Sequence, residues 1–167
     1  CLLSRGLGDV YKRQPGKDSH SWLGRLNNIR TALQGQQGDR RLRLGIAGGE
    51  WKKMMADATA RTRFASEVKK IIEQYDFDGV DFDFEWPANA SEYNNYSATV
   101  IQMRSTLGKY VYFTASLHPV SFKISPEAID ALDFISYQCY GPAVMRFPYE
   151  QFVKDGEAAV ALSLIHI

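Results

Sequence analysis

The sequence is short of nearly every feature that would announce a ready-made site. It holds two cysteines, Cys1 and Cys139, far apart and with neither a CxxC nor a Cys/His spacing. That excludes a disulfide framework and a zinc site, and no other metal site is expected. Cys139, set among apolar and aromatic neighbours, reads as a buried free thiol. No stretch approaches the roughly 20 apolar residues of a membrane-spanning helix. A formal net charge of +1 over 167 residues offers no excess of positive charge for nucleic acid. The basic run Arg40-Arg41-Leu42-Arg43 leads into an apolar stretch and reads as a solvated strand entrance. Glycine-rich phosphate loops are missing too, because Gly48-Gly49-Glu50-Trp51 fits neither GxGxxG nor the P-loop pattern. Internal repeats and low-complexity tracts are also absent.

What is present is a chain long enough for one domain with a core, 45% hydrophobic and 13% aromatic. Its ends look foreign. Residues 1–14 (CLLSRGLGDVYKRQ) follow no amphipathic period, and residues 162–167 (LSLIHI) stop abruptly after a helical pattern. Both resemble translated sequencing adapters of the kind found in assembled environmental reads, so they are set aside as non-native. The start shows no signal-peptide pattern, which carries no weight under that reading. Residues 15–161 are then read as part of one domain.

Within that span, helix and strand patterns alternate. Trp22, Leu23, Leu26, Ile29 and Leu33 form a helix face, ended by glycines from Gly35 to Gly38. Leu42 to Ala47 is a short strand broken by Gly48-Gly49, and a helix with Phe64, Val68, Ile71, Ile72 and Tyr75 on one side follows. An acidic strand runs over about 78–86 and is closed by Pro87. Ser91 is placed to cap the next helix, whose face is Tyr93, Tyr96, Val100, Met103 and Leu107. Val111–Leu117 is a strand, a short helix begins near Ser125-Pro126-Glu127, Leu132–Tyr140 is a strand, and about 148–161 is a last helix. This alternation predicts an α/β fold with a parallel sheet and right-handed crossovers. An open doubly wound sheet and a segment of a (β/α)8 barrel both satisfy it.

The acidic strand decides between them. A central parallel strand is normally a continuous apolar run, yet Asp81, Asp83 and Glu85 alternate with Val80, Phe82 and Phe84. Side chains at i and i+2 lie about 6.6 Å apart on one face of a strand. The three carboxyls therefore form a column, which core packing does not explain because burying unpaired charge is costly. In a barrel the column points to the interior, and Glu85 reaches the rim where barrel enzymes keep their active sites. Neighbouring carboxylates disfavour one another's ionisation, so a proton is retained within the set. A retained proton is what glycoside cleavage needs at the leaving oxygen. An EF-hand loop does not fit phenylalanines at strand period. A DxD metal site of a nucleotide-sugar transferase at Asp81-Phe82-Asp83, or a purely structural acidic strand, stay open as alternatives on the residues alone.

The run from Asp78-Gly79 through Asp81, Asp83 and Glu85 to Trp86-Pro87 closely resembles the DGxDxDxE signature of family-18 glycoside hydrolases, the chitinases and their relatives. Ile46-Ala47-Gly48-Gly49 with Trp51 is similar to the segment ending the family's third barrel strand, Thr114-Ala115-Ser116 to its fifth, and Tyr137-Gln138-Cys139-Tyr140 to its sixth. The resemblance covers about residues 20–160 and implies a partial (β/α)8 TIM barrel, about four consecutive βα units with a preceding helix. It implies a retaining, substrate-assisted hydrolysis in which the substrate's own N-acetyl group attacks the anomeric carbon. By position, Glu85 is the acid/base, Asp83 holds the acetamido nitrogen, Asp81 pairs with Asp83, and Tyr140 bonds the acetamido carbonyl. Gln138, Trp86 and Gly49 are substrate-binding candidates, while Asp78, Gly79 and Gly48 belong to the structural frame. Trp51 and Trp86 could stack on sugar faces, and His118 reads as a rim or structural residue. Ile46 stands where the family often has Ser, and Gly141 where Asp or Asn is usual, which puts those contacts in doubt.

The implied substrate is chitin or an N-acetylglucosamine oligosaccharide, with no cofactor, nucleic acid, membrane or obligate protein partner, and a secreted, periplasmic or cell-surface parent. An endo-β-N-acetylglucosaminidase acting on N-glycans shares the motif, and a non-catalytic sugar-binding relative would have lost the acid that Glu85 supplies. With barrel strands three to six of eight, the chain by itself is expected to be poorly soluble and inactive.

Overall fold

The computed structural model describes residues 21–34, 40–48, 50–85, 87–117 and 123–138. Its elements run α1 (Trp22–Gln34), β1 (Arg43–Ile46), α2 (Trp51–Ala56), α3 (Ala58–Tyr75), β2 (Gly79–Phe82), α4 (Ala90–Leu107), β3 (Tyr112–Leu117), α5 (Pro126–Asp130) and β4 (Phe134–Tyr137). The helix expected over about 148–161 and the terminal segments 1–14 and 162–167 lie outside the described residues.

Four parallel strands lie in the order β1-β2-β3-β4, each beside its chain neighbour. A doubly wound sheet reverses its strand order at a switch point. This one only advances, as strands do around a barrel. The fold is therefore a partial (β/α)8 barrel, as the alternation and the acidic strand together predict.

Period two divides each strand between a helix-covered face and an inner face. Leu44 and Ile46, Val80, Phe82 and Phe84, and Phe113, Ala115 and Leu117 are buried against the helical layer. They meet Phe64, Val68 and Ile72 of α3 and Tyr96, Val100 and Met103 of α4 in one apolar cluster. Phe82 is its centre, edge-on to Phe113 at 4.9 Å and to Phe84 at 5.2 Å between ring centroids. Each such buried aromatic contributes about 1.5–3 kcal/mol by transfer alone, with more from the edge-to-face geometry.

Local signals start and stop the helices. Asp57 caps α3 by accepting from Ala60 N at 2.7 Å, and this cap separates α3 from the short α2, a helix the residue pattern does not mark. α3 ends with Asp76 in the left-handed region at φ 50°, and Phe77 N–H closes on Ile72 O at 3.1 Å. α4 is capped by Asn89, whose side chain accepts from Glu92 N at 3.0 Å. The expected cap Ser91 lies inside the helix: Asn89 has the extended backbone a cap requires, and Ser91 does not. Ser125 caps α5 with Pro126 in the first turn, as its residues predict.

Two aspartates lock the strand starts. Asp78 N–H donates to Leu42 O at 2.9 Å while its carboxylate accepts from Leu42 N at 2.6 Å. Asp133 repeats this arrangement on β3: its N–H donates to Phe113 O at 2.8 Å and its carboxylate accepts from Phe113 N at 2.7 Å. Gly79 then pairs with Arg43 and Tyr112, and a Cβ there would sit 1.9 Å from the Tyr112 carbonyl oxygen. No other residue fits between those backbones.

Candidate active site

The inner face carries the chemistry. Asp81 lies in register with Gly45 on β1 and Thr114 on β3, so its carboxyl stands between two strands. Beyond the last ladder pair the chain stays extended, and Asp83 N–H donates to Ile46 O at 2.9 Å. That bond keeps Asp83 on the face of Asp81 and carries Glu85 to the C-terminal end of the strand. The ladder itself spans only Gly79–Phe82, shorter than the expected 78–86, because β1 has ended at Ile46. The expected buried column is graded instead: Asp81 and Asp83 are half-buried and Glu85 is exposed.

Each carboxyl has its own surroundings. Asp81 accepts from the hydroxyl of Thr114 and from Ser116 Oγ at 3.1 Å, and Arg43 Nη1 stands 3.3 Å from its Oδ1. Thr114 in turn accepts from Arg43 Nη1, so its hydroxyl bridges guanidinium and carboxylate. Asp83 accepts from Gln138 Nε2 at 2.7 Å, and the same amide reaches Glu85 Oε1 at 3.4 Å. Gln138 is 7% exposed and held by its own N–H on Leu117 O at 2.7 Å, so it ties the two upper carboxyls to β3.

Burial raises the Asp83 carboxyl above the ordinary carboxylate range, the charges of Glu85 and Asp81 push the same way, and the Gln138 hydrogen bond only partly offsets them. A carboxyl disposed to keep its proton thus lies between two others.

The backbone of the Glu85 segment is clamped from behind the sheet. Trp51 Nε1 donates to Glu85 O at 3.3 Å. Glu92 accepts from Ala88 N at 2.8 Å and pairs with Lys52 Nζ at 2.7 Å. The Lys52 hydrogen bond, then that of Ala88, lower the Glu92 carboxyl below its ordinary value. Trp51 is 4% exposed and packs on Phe84 and Tyr96, so it is not available to stack on a sugar. Its indole sits in the core because the helix-facing side of β2 is lined with aromatics.

The structure brings Asp81, Asp83, Glu85 and Gln138 together, and it places Asp78 and Gly79 at the opposite end of β2. Gly48 is exposed after β1. Tyr140, Trp86, Gly49, Cys139, His118 and Gly141 lie outside the described residues. Ile46, read as standing in the serine position, is buried on the helix side, and Gly45 is the residue aligned with Asp81. Arg43 is not a solvated entrance residue: its side chain is 31% exposed and engaged with Asp81 and Thr114. Strand parity carried the missed signal, since Arg43, Thr114 and Ser116 share the face of Asp81. Among the described residues no cluster of His, Cys, Asp and Glu is arranged to hold a metal ion.

The site is thus a carboxylate column climbing one strand of a partial α/β barrel to its C-terminal end. The family model for glycosyl hydrolases family 18 matches residues 11–151, and the chain belongs to that family. A Class V chitinase of Arabidopsis thaliana is 25% identical over 124 residues, 62% of this chain and 33% of that protein. A chitinase structure from Bacteroides thetaiotaomicron superposes with a TM-score of 0.68 at 18% identity, covering 83% of this chain and 47% of that one. A mutant Class V chitinase from Nicotiana tobaccum, solved in complex with NAG4, superposes with a TM-score of 0.57 at 19% identity, over 69% of this chain and 38% of that one. The chain thus spans a third of the length of the Arabidopsis chitinase and less than half of the Bacteroides one. Its likeness to these structures is one of fold.

Proposed function

We propose that the chain carries the catalytic strand of a chitinase-type hydrolase that cleaves β-1,4-N-acetylglucosamine linkages with retention. The observation that carries this reading is a protonation-prone Asp83 between Asp81 and an exposed Glu85 at the C-terminal end of β2. Glu85 donates its proton to the glycosidic oxygen and later takes one from water. Asp83 receives the acetamido N–H and stabilises the positive ring formed when the N-acetyl oxygen attacks the anomeric carbon. Asp81, fixed by its hydroxyl donors, supports Asp83. Gln138 orients both upper carboxyls. Tyr140, Trp86 and Gly49 take the substrate-contacting roles implied by their place in the family pattern.

The remaining barrel strands complete the cleft in the parent protein, and the four-stranded unit is inactive without them. The test joins this chain to those strands and measures oligosaccharide release from chitin for the protein and its Glu85→Gln variant. Loss of at least a hundredfold in kcat is expected. Equal turnover would remove Glu85 from its role. Release from N-glycans with none from chitin would move the substrate to the chitobiose core.

A further inference from the structure

We propose that Arg43 is a positioning residue that acts through Asp81: it balances the Asp81 charge from below and so sets the electrostatic field that Asp81 casts on Asp83. The proposal deepens the functional reading and rests on it for its catalytic meaning, although its electrostatic content can be read without substrate.

The geometry is specific. Arg43 stands two residues before Gly45, on the face of Asp81, and a Cβ on Gly45 would meet nothing within 4 Å. The missing side chain leaves the guanidinium an open path along the strand. Arg43 Nη1 lies 3.3 Å from Asp81 Oδ1 and also donates to Thr114, which donates on to Asp81. Phe134 lies 5.8 Å and Tyr112 6.0 Å from the guanidinium carbon, so two aromatic faces hold the cation in place. A half-buried pair of this kind is screened far less than a surface pair.

Among the described residues, the groups facing the column come from four strands. β1 offers Arg43; β3 offers Thr114 and Ser116; the end of β4 offers Gln138; β2 itself carries Asp83 and Glu85. Behind the sheet lies the buried Tyr96 hydroxyl of α4, which burial and the charges of Asp81 and Asp83 keep protonated and which has no hydrogen-bond partner among the described residues. Among the described residues Arg43 is therefore the cation that faces Asp81. Without it the Asp81 charge acts unopposed on Asp83, and Asp83 keeps its proton to higher pH.

Carboxyl-carbon NMR titration of Asp83 in the whole chain tests this, with the wild type, Arg43→Met and Arg43→Lys compared. Arg43→Met should move the Asp83 titration upward by on the order of half a pH unit, and Arg43→Lys should return most of that shift. Coincident titrations in wild type and Arg43→Met would overturn the proposal. If Arg43→Met loses its folded spectrum, Arg43→Gln is titrated in its place. Loss of the fold in both neutral variants, with Arg43→Lys intact, would also overturn it, since the arginine would then serve only the fold. Turnover plays no part in these readings, so a failure of the hydrolase reading would show separately, as a normal Arg43 effect on a column that cleaves nothing.

Discussion

Replacing Gly79 by alanine should break the sheet at the point that aims the column. The added Cβ would fall 1.9 Å from Tyr112 O and 2.8 Å from the Tyr112 carbonyl carbon. Backbone atoms cannot rotate away as a side-chain tip can, so β2 and β3 must separate by more than 1 Å there. The separation strains the Tyr112 N–H bond to Asp78 O, now 3.0 Å, and pulls Asp81 from Thr114 and Ser116 two and more residues along. Overpacking costs about 1–3 kcal/mol where neighbours can adjust, and a rigid ladder belongs at the upper end. With one ladder bond of about 1 kcal/mol added, the loss is about 3–4 kcal/mol, a large part of a typical domain's stability. Urea unfolding of Gly79→Ala should then show a midpoint lower by about 1–4 M. A midpoint unchanged within error would refute the close approach of the two backbones.

Four further outcomes follow from the same contacts. Trp51→Phe keeps the ring but removes the donor to Glu85 O. It should cost about 1 kcal/mol in chemical denaturation and, in the barrel-completed enzyme, lower kcat with little change in KM. Gln138→Leu removes the hydrogen bond that lowers the Asp83 carboxyl, so the Asp83 resonance should titrate at higher pH than in the wild type. Asp83→Asn should raise Tm at pH 7 and leave it nearly unchanged in acid. A folded pKa above the unfolded value favours the native state only while the group is protonated, so that stability is lost as pH rises through the folded value. Asp133 works in the opposite sense. Burial would raise its carboxyl, but Phe113 N–H and Arg104 outweigh that and hold it below the ordinary value. Its contribution is present above the unfolded carboxylate pKa and fades as pH falls through the lowered one, so Asp133→Asn should flatten the acid limb of a Tm–pH curve.

Much of this could be read in the residues because period two is a strong constraint. Asp81, Asp83 and Glu85 cannot share a face with Phe82 and Phe84 in any strand, and the structure sorts them accordingly. Helix faces such as Phe64–Val68–Ile72 and Tyr96–Val100–Met103 were equally plain. What escaped depends on contacts between segments distant in sequence. Arg43 looks like part of an exposed basic run until β1 and β2 are set in register. Trp51 looks like a sugar platform until the aromatic lining of β2 draws it inward. The ladder ends at Phe82 because its partner strand stops, a fact held by residues 36 positions earlier. The cap of α4 moved from Ser91 to Asn89 because both are good caps, and only the backbone path chooses between them.

Glu85, at the end of β2, is the proposed proton donor, and one assay reaches it directly. Turnover of a chitin oligosaccharide, measured together with its binding, is compared between the barrel-completed protein and its Glu85→Gln variant. The account predicts that the variant binds the oligosaccharide with near-normal affinity and cleaves it at least a hundredfold more slowly. Cleavage at the unmodified rate would contradict it.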